Sequence, residues 1–197
     1  FTKEAAPSGA LPVGTILTLS ASGSEMSASC VITNEENGLK RGFNSTTHRP
    51  LFSICNPELT YTVNRFQTGC GTVDIMMHTL ERYMGGTTKE TPLTDRIAEG
   101  LLKSVVEAGA VADQDPENYE ARATLMWAGS LSHNDLTHFG SGRGDWACHQ
   151  LEHELGGMFD VAHGAGLAAV WGSWARFVFS SNPARFARYA RREIGRA

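Results

Sequence analysis

Between Phe66 and Met84 the apolar residues Phe66, Cys70, Val73, Met77, Leu80 and Met84 recur at alternating intervals of four and three. That period belongs to a helix with one apolar stripe, and about twenty residues of it commit the region to helix packing. Asn64, with Gln67 three residues on, resembles a capping box in which Asn replaces the usual Ser or Thr. Asp74 and His78 each follow a stripe residue, so they border the buried face. Four residues apart on a helix, their Cβ atoms should lie about 6 Å from each other on one side. The helix therefore presents a carboxylate and an imidazole together at the margin of a core.

The rest of the chain divides at about residue 63. Before it, Leu11 to Leu19 and Ser27 to Thr33 are rich in strand formers, and Glu36-Asn37-Gly38 supplies a turn. After it the grammar is helical. Thr91-Pro92, Asp115-Pro116 and Asn182-Pro183 each pair a capping residue with proline, which fits the first helical position because its missing N–H would be unpaired there. Gly85-Gly86 should end the first helix. Further helices are expected over Asp145 to Phe159 and Gly164 to Phe179. The former should stop near Gly156-Gly157, leaving His163 beyond it.

The 197 residues allow one or two domains, and the formal net charge of -4 argues against a general affinity for nucleic acid or anionic membranes. The apolar stretch Leu167 to Phe179 is broken by Arg176 and too short to span a bilayer. Cys30, Cys55, Cys70 and Cys148 form no CxxC pair and read as reduced thiols of a cytosolic protein. Arg185, Arg188, Arg191, Arg192 and Arg196, interleaved with Phe186 and Tyr189, read as an amphipathic helix with one solvated face rather than an anion site. Trp127, Trp146, Trp171 and Trp174 are expected in a core or interface. No signal peptide is visible, the first residue is Phe, and a helical pattern runs to the last residues; the expectation is an internal piece of a longer protein.

His149 and His153 repeat the i, i+4 relation of Asp74 and His78, and His163 follows ten residues later. Either pair alone is a weak signal. Together they offer several imidazoles and a carboxylate, which suit iron or zinc better than calcium or magnesium, whose shells are all oxygen. His133 and His138 read as loop residues rather than ligands.

Two stretches carry a family resemblance: Val73-Asp-Ile-Met-Met-His-Thr-Leu-Glu-Arg-Tyr83, and Asp145-Trp-Ala-Cys-His-Gln-Leu-Glu-His-Glu-Leu-Gly-Gly-Met-Phe-Asp-Val-Ala-His-Gly-Ala-Gly-Leu-Ala168. They resemble the iron-containing alcohol dehydrogenases, in the branch of NADPH-dependent butanol dehydrogenases and aldehyde reductases. The resemblance implies that Asp74, His78, His149 and His163 hold Fe²⁺ or Zn²⁺. It places His153 near the nicotinamide and substrate, where an imidazole with an ordinary pKa near working pH would orient the substrate or relay a proton. Thr18-Leu-Ser-Ala-Ser-Gly-Ser-Glu25 resembles the family's Thr-Gly-Ser-Glu region, and Lys40 falls where the family has a lysine beside the cofactor. Thr18, Ser22, Gly23 and Lys40 are thus the candidate contacts to NADPH or NADH, Lys40 as a mobile cation for phosphate. Ser27 and Leu59 depart from the Asn and Tyr often found there in relatives.

The implied fold is α+β overall: a mostly helical metal-binding domain over residues 63–197, preceded by residues 1–62 as a β-rich remnant of an α/β dinucleotide-binding domain. Neither Gly-Gly-Gly-Ser nor GxGxxG occurs, so the turn that holds the pyrophosphate in relatives is missing. The implied function is NAD(P)H-linked interconversion of an alcohol and an aldehyde or ketone in the cytoplasm, with this chain alone expected to bind metal and turn over poorly. Two other readings remain open. One is a non-catalytic metal-binding fragment; the other is a metal-dependent hydrolase, although His153-Glu154 is not followed by His at residue 157. Expected partners are a small alcohol or aldehyde, no nucleic acid and no membrane, with a homodimer or a complementing chain segment completing the β-rich part.

Overall fold

In a computed structural model of the chain, describing residues 7–85, 90–142 and 144–194, the Asn64 side chain accepts a hydrogen bond from the Gln67 amide at 2.8 Å. The helix it caps, α1, runs Arg65–Met84 and ends at Gly85, with Gly86 outside the described residues. α1 is more enclosed than a single stripe requires. Ile75 packs against Leu101, Val105, Ala108 and Ala112 of α2 (Pro92–Gln114) and Ala121, Leu125 and Ala128 of α3 (Tyr119–His133). Met77 and Leu80 pack on the other side with Leu102, Cys148 of α4 (Ala147–Phe159) and Leu167 of α5 (His163–Val178). Asp74 and His78 therefore do not border the core; both are buried inside the bundle. Phe66 leaves the stripe and is exposed in the first turn, beside the Arg65 guanidinium that reaches out to Asp113.

Two close approaches of backbone to backbone fix α1 against its neighbours. A Cβ at Gly164, on α5, would lie 2.5 Å from the Cys70 carbonyl carbon and 2.6 Å from its Cα, so only glycine lets the helices meet there. A Cβ at Gly71 would likewise overlap the Ser20 carbonyl, so the loop before residue 25 lies directly on α1.

Three sequence expectations need correction. Asp115-Pro116 does not start α3: Asp115 closes α2, the chain turns through Asn118 N to Asp115 O (3.1 Å), and Asn118 is the cap that accepts from the Ala121 amide. α4 ends at Phe159, the outer bound expected, but it does not stop at Gly156-Gly157; it passes through them to where Asp160 adopts a left-handed conformation (φ 51°). His163, expected just ahead of a helix from Gly164, is the first residue of α5. The basic segment forms α6 (Pro183–Tyr189), capped by Asn182, and a π-helical turn over Ala190–Ile194; the two arginines of α6 are paired within the chain. Arg185 and Arg188 reach the buried Asp95 of α2 at 2.7 and 3.0 Å, and Arg188 also reaches Glu99 at 2.5 Å. Arg196 lies outside the described residues.

The β-rich part is smaller than the sequence pattern suggests. β1 (Gly14–Ile16) pairs in parallel with β4 (Phe52–Ile54). β2 (Ser29–Asn34) and β3 (Leu39–Asn44) form an antiparallel hairpin, Ser29 opposite Asn44 and Asn34 opposite Leu39. Ile16, Leu51, Phe52 and Ile54 stand exposed on or beside the two-stranded pair. The result is an α+β chain dominated by helices, with no described helix long and apolar enough to cross a membrane. None of the four cysteines is in a disulfide.

Candidate metal centre

α1, α4 and the first residue of α5 meet at Asp74. The Nε2 atoms of His78, His149 and His163 lie 3.5, 3.6 and 3.5 Å from Asp74 Oδ1. Such separations are too long for good hydrogen bonds, and Asp74 Oδ1 and His149 Nε2 are buried with no hydrogen-bond partner. Donors on a tetrahedron around an ion with bonds of about 2.1 Å stand about 3.4 Å apart. The spacing and the orphaned atoms therefore fit a small cation better than they fit direct pairing. The ligand atoms of Asp74, His149 and His163 all fall within 4.8 Å of one another; His78 approaches Asp74 but stands outside that triplet.

The charges follow from burial and from each other. Burial alone would raise the Asp74 pKa, yet His78, His149 and His163 together hold it well below the ordinary carboxylate range. Burial opposes protonation of His163, but Asp74 and Glu152 outweigh it and push the ring up to about 9. His149 is raised in the same way by Asp74 and Glu81, whereas burial drives His78 down. Without a metal, the proton on His163 plays the cation's part opposite Asp74 at neutral pH.

Several residues around this centre were not singled out from the sequence. Glu81 and Glu152, both fully buried, contact the Nδ1 atoms of His149 and His163 respectively. Each sits on a helix already carrying a candidate ligand, seven residues after Asp74 and three after His149, and that helical phase was the available signal. His133 is the last residue of α3 rather than a loop residue, and its ring lies against His78 with centroids 4.0 Å apart. Burial, then the Arg82 guanidinium, pushes its pKa down to about 3. Buried Arg82 donates to the carbonyls of His78 and Ser132 (2.9 and 2.6 Å) and lies over the Trp146 ring at 4.6 Å. Trp146, in a left-handed conformation (φ 57°), also faces His149 and His78, so this tryptophan lines the centre. Trp171 and Trp174 stack at the edge of the second core, while Trp127 is exposed.

His153 is half-buried beside the triplet, its ring 5.8 Å from that of His163 and 6.5 Å from that of His149. Burial, then the charges of Lys40 and His163, lower its pKa to about 4. The expectation of an imidazole titrating near working pH is thus corrected; the ring is neutral at pH 7. Lys40 is not a mobile cation either, because its ammonium lies 3.4 Å from Glu152 and its side chain is 19% exposed. Thr18 and Ser22 are exposed, and Gly23 is buried with φ 63°, packed on the Gly129 carbonyl and the His133 Cβ. An apolar groove on α2 and α3, lined by Ile97, Leu101, Trp127 and Leu131, contains none of these side chains.

Residues 68–195 match the family model for the C-terminal part of the Fe-containing alcohol dehydrogenase family, and residues 1–57 match that for iron-containing alcohol dehydrogenase. The chain belongs to the iron-containing alcohol dehydrogenase family. Among its relatives, a probable NADH-dependent butanol dehydrogenase of Bacillus subtilis is 42% identical over 96% of this chain and 48% of its own length. The NADPH-dependent aldehyde reductase YqhD of Escherichia coli is 40% identical over 82% of this chain and 41% of its own length. The crystal structure of an NADH-dependent butanol dehydrogenase A from Thermotoga maritima superposes with a TM-score of 0.93 at 38% identity, covering 96% of this chain and 47% of that one. The chain thus spans about half the length of these family members.

Proposed function

We propose that this chain is the metal-holding portion, with part of the cofactor-facing side, of an NAD(P)H-linked alcohol dehydrogenase or aldehyde reductase of the cytoplasm. Asp74, His78, His149 and His163 would hold Fe²⁺ or Zn²⁺. The observation that carries the reading is the convergence of three Nε2 atoms at 3.5–3.6 Å on one buried, unpartnered carboxylate oxygen. The names of the relatives supply the reaction class. When bound, the ion supplies a Lewis acid that polarises a carbonyl oxygen and stabilises the alkoxide.

The chain's own residues divide the remaining work. Asp74 stays anionic and sets the charge of the centre. His153, neutral at pH 7, offers one ring N–H and one bare nitrogen beside the centre, which suits orienting a small alcohol or aldehyde. Lys40 is the candidate contact for the cofactor and would reach a phosphate only by leaving Glu152, and Gly23 lets the Thr18–Ser22 loop approach the nicotinamide end of NADPH or NADH. A second copy or the complementing chain segment would cover the exposed strand pair.

The test is elemental analysis of protein prepared with iron or zinc, alongside Asp74→Ala and His163→Ala. One ion per chain, lost in both variants, is expected; unchanged occupancy in both defeats the reading. NADPH oxidation with butanal by the same preparation measures turnover, expected to be far below that of a chain carrying the pyrophosphate-holding turn.

A further inference from the structure

A neutral imidazole carries one proton on one of its two nitrogens, and a metal needs the other nitrogen bare. At His149 and His163 the choice is made by a buried acid. Glu81 and Glu152 are both 0% exposed, and each contacts the Nδ1 of one ring while Nε2 of that ring faces Asp74. An ionised carboxylate only accepts, so the proton must sit on Nδ1. We propose that Glu81 and Glu152 are positioning residues, each accepting the Nδ1–H of one imidazole and so turning its Nε2 lone pair toward the metal centre.

Neither acid is free to turn away. Glu81 also accepts from the backbone amides of Cys148 (2.6 Å) and His149 (3.3 Å) at the start of α4, where Trp146 provides no side-chain cap. The acid thus replaces the missing cap and fixes the helix bearing His149 to the helix bearing Asp74. Glu152 is also held by Lys40, whose ammonium donates to the same Oε2 at 3.4 Å. His78 is the contrast: its Nδ1 is buried without a partner, and its ring is held by packing between His133 and His149, at centroid distances of 4.0 and 4.8 Å. Two candidate ligands are oriented by hydrogen bonds and the third by packing. A second ion among Glu152, His153 and His163, whose ligand atoms also lie within 4.8 Å of one another, is disfavoured. The Glu152 oxygen that would serve it, Oε2, already engages both His163 Nδ1 and the Lys40 ammonium.

This inference rests on the metal reading above, and the experiment separates the two. Zn²⁺ and Co²⁺ affinities of the full chain are measured by competition with a chromophoric chelator, with Co²⁺ absorption reporting geometry. Glu81→Ala and Glu152→Ala should each weaken binding about 10- to 100-fold and alter the Co²⁺ spectrum. The Gln variants should lose less, because the amide oxygen still accepts Nδ1–H. The deciding measurement is a double-mutant cycle: Glu152→Ala should cost nothing more in a His163→Ala background, nor Glu81→Ala in His149→Ala. If an Ala variant does not fold, the Gln variant, of nearly equal volume, carries the same cycle. Wild-type affinity in both the Ala and Gln variants overturns the proposal, as does a loss that persists undiminished after the matching histidine is removed. Two ions per wild-type chain, one of them lost with Glu152, overturns it for that residue. A wild-type chain that binds neither metal defeats the metal reading itself.

Discussion

Replacing Gly164 by alanine tests the packing that brings α5, and His163 at its first position, against α1. A methyl at residue 164 would sit 2.5 Å from the Cys70 carbonyl carbon and 2.6 Å from its Cα, against an ordinary contact of 3.4 Å or more. The obstacle is backbone, so no rotamer change relieves it and α5 must withdraw by roughly 1 Å. Overpacking of this kind costs about 1–3 kcal/mol, sometimes more. Alanine's better helix propensity returns about 0.8–1 kcal/mol. Because the clash is with backbone atoms, the cost belongs in the upper part of that range, about 2–3 kcal/mol, and the net loss of about 1–2 kcal/mol lowers Tm for a chain of this length by roughly 2–8 °C at about 2–4 °C per kcal/mol. Gly100, mid-helix in α2, gives the opposite sign, because nothing lies within 4 Å of where its methyl would stand. There the same substitution should stabilise by about 0.8–1 kcal/mol. Thermal melts of both variants, metal-free, read the effect, and Zn²⁺ affinity reads the displacement of His163. A Gly164→Ala chain that melts at or above wild type with unchanged zinc affinity would refute the close-contact argument.

Two further outcomes follow from the same geometry. His163, raised to about 9 when metal-free, must lose its proton to accept an ion. Its proton stabilises the metal-free fold below about pH 6.5, and that contribution is lost as pH rises through 9. Zinc affinity should therefore climb about tenfold per pH unit for each proton displaced between about pH 7 and 9; a flat chelator-competition profile would contradict it. Ile75→Ala, emptying a fully buried site in the first core, should cost about 2–5 kcal/mol by urea denaturation, and a loss under about 1 kcal/mol would show that the core closes over the gap.

Much of this molecule is legible in its sequence because its helices announce themselves locally. The Asn64 cap, the Pro92 and Pro183 starts, and the Asp74 and His78 spacing depend on neighbours within four residues. What failed to show depends on the whole fold. Asp115-Pro116 has every mark of a helix start, but Asn118 offers a better cap three residues later. Gly156-Gly157 reads as a stop, yet α4 passes through it, since the chain reverses only where Asp160 turns left-handed. The pairing of Arg185 and Arg188 with Asp95 spans about ninety residues, beyond any periodicity. For the candidate centre, the histidines stood out by type, whereas Glu81 and Glu152 look like ordinary helix-surface acids until burial is known. The environments of His153 and Lys40 were misjudged for the same reason: reference pKa values and side-chain mobility describe residues in water.

α1 makes length, rather than composition, the constrained property of this chain. Asp74, His78 and Glu81 fall within an arc of about 60° at about 100° per residue, and Ile75, Met77 and Leu80 take their bearings from the same axis. A single residue inserted directly after Asp74 would turn everything downstream by about 100°, carrying His78 and Glu81 off the centre and Met77 and Leu80 out of the second core in one stroke. Side chains along this helix can be exchanged one at a time, but an insertion or deletion within it removes the chemistry and the scaffold together.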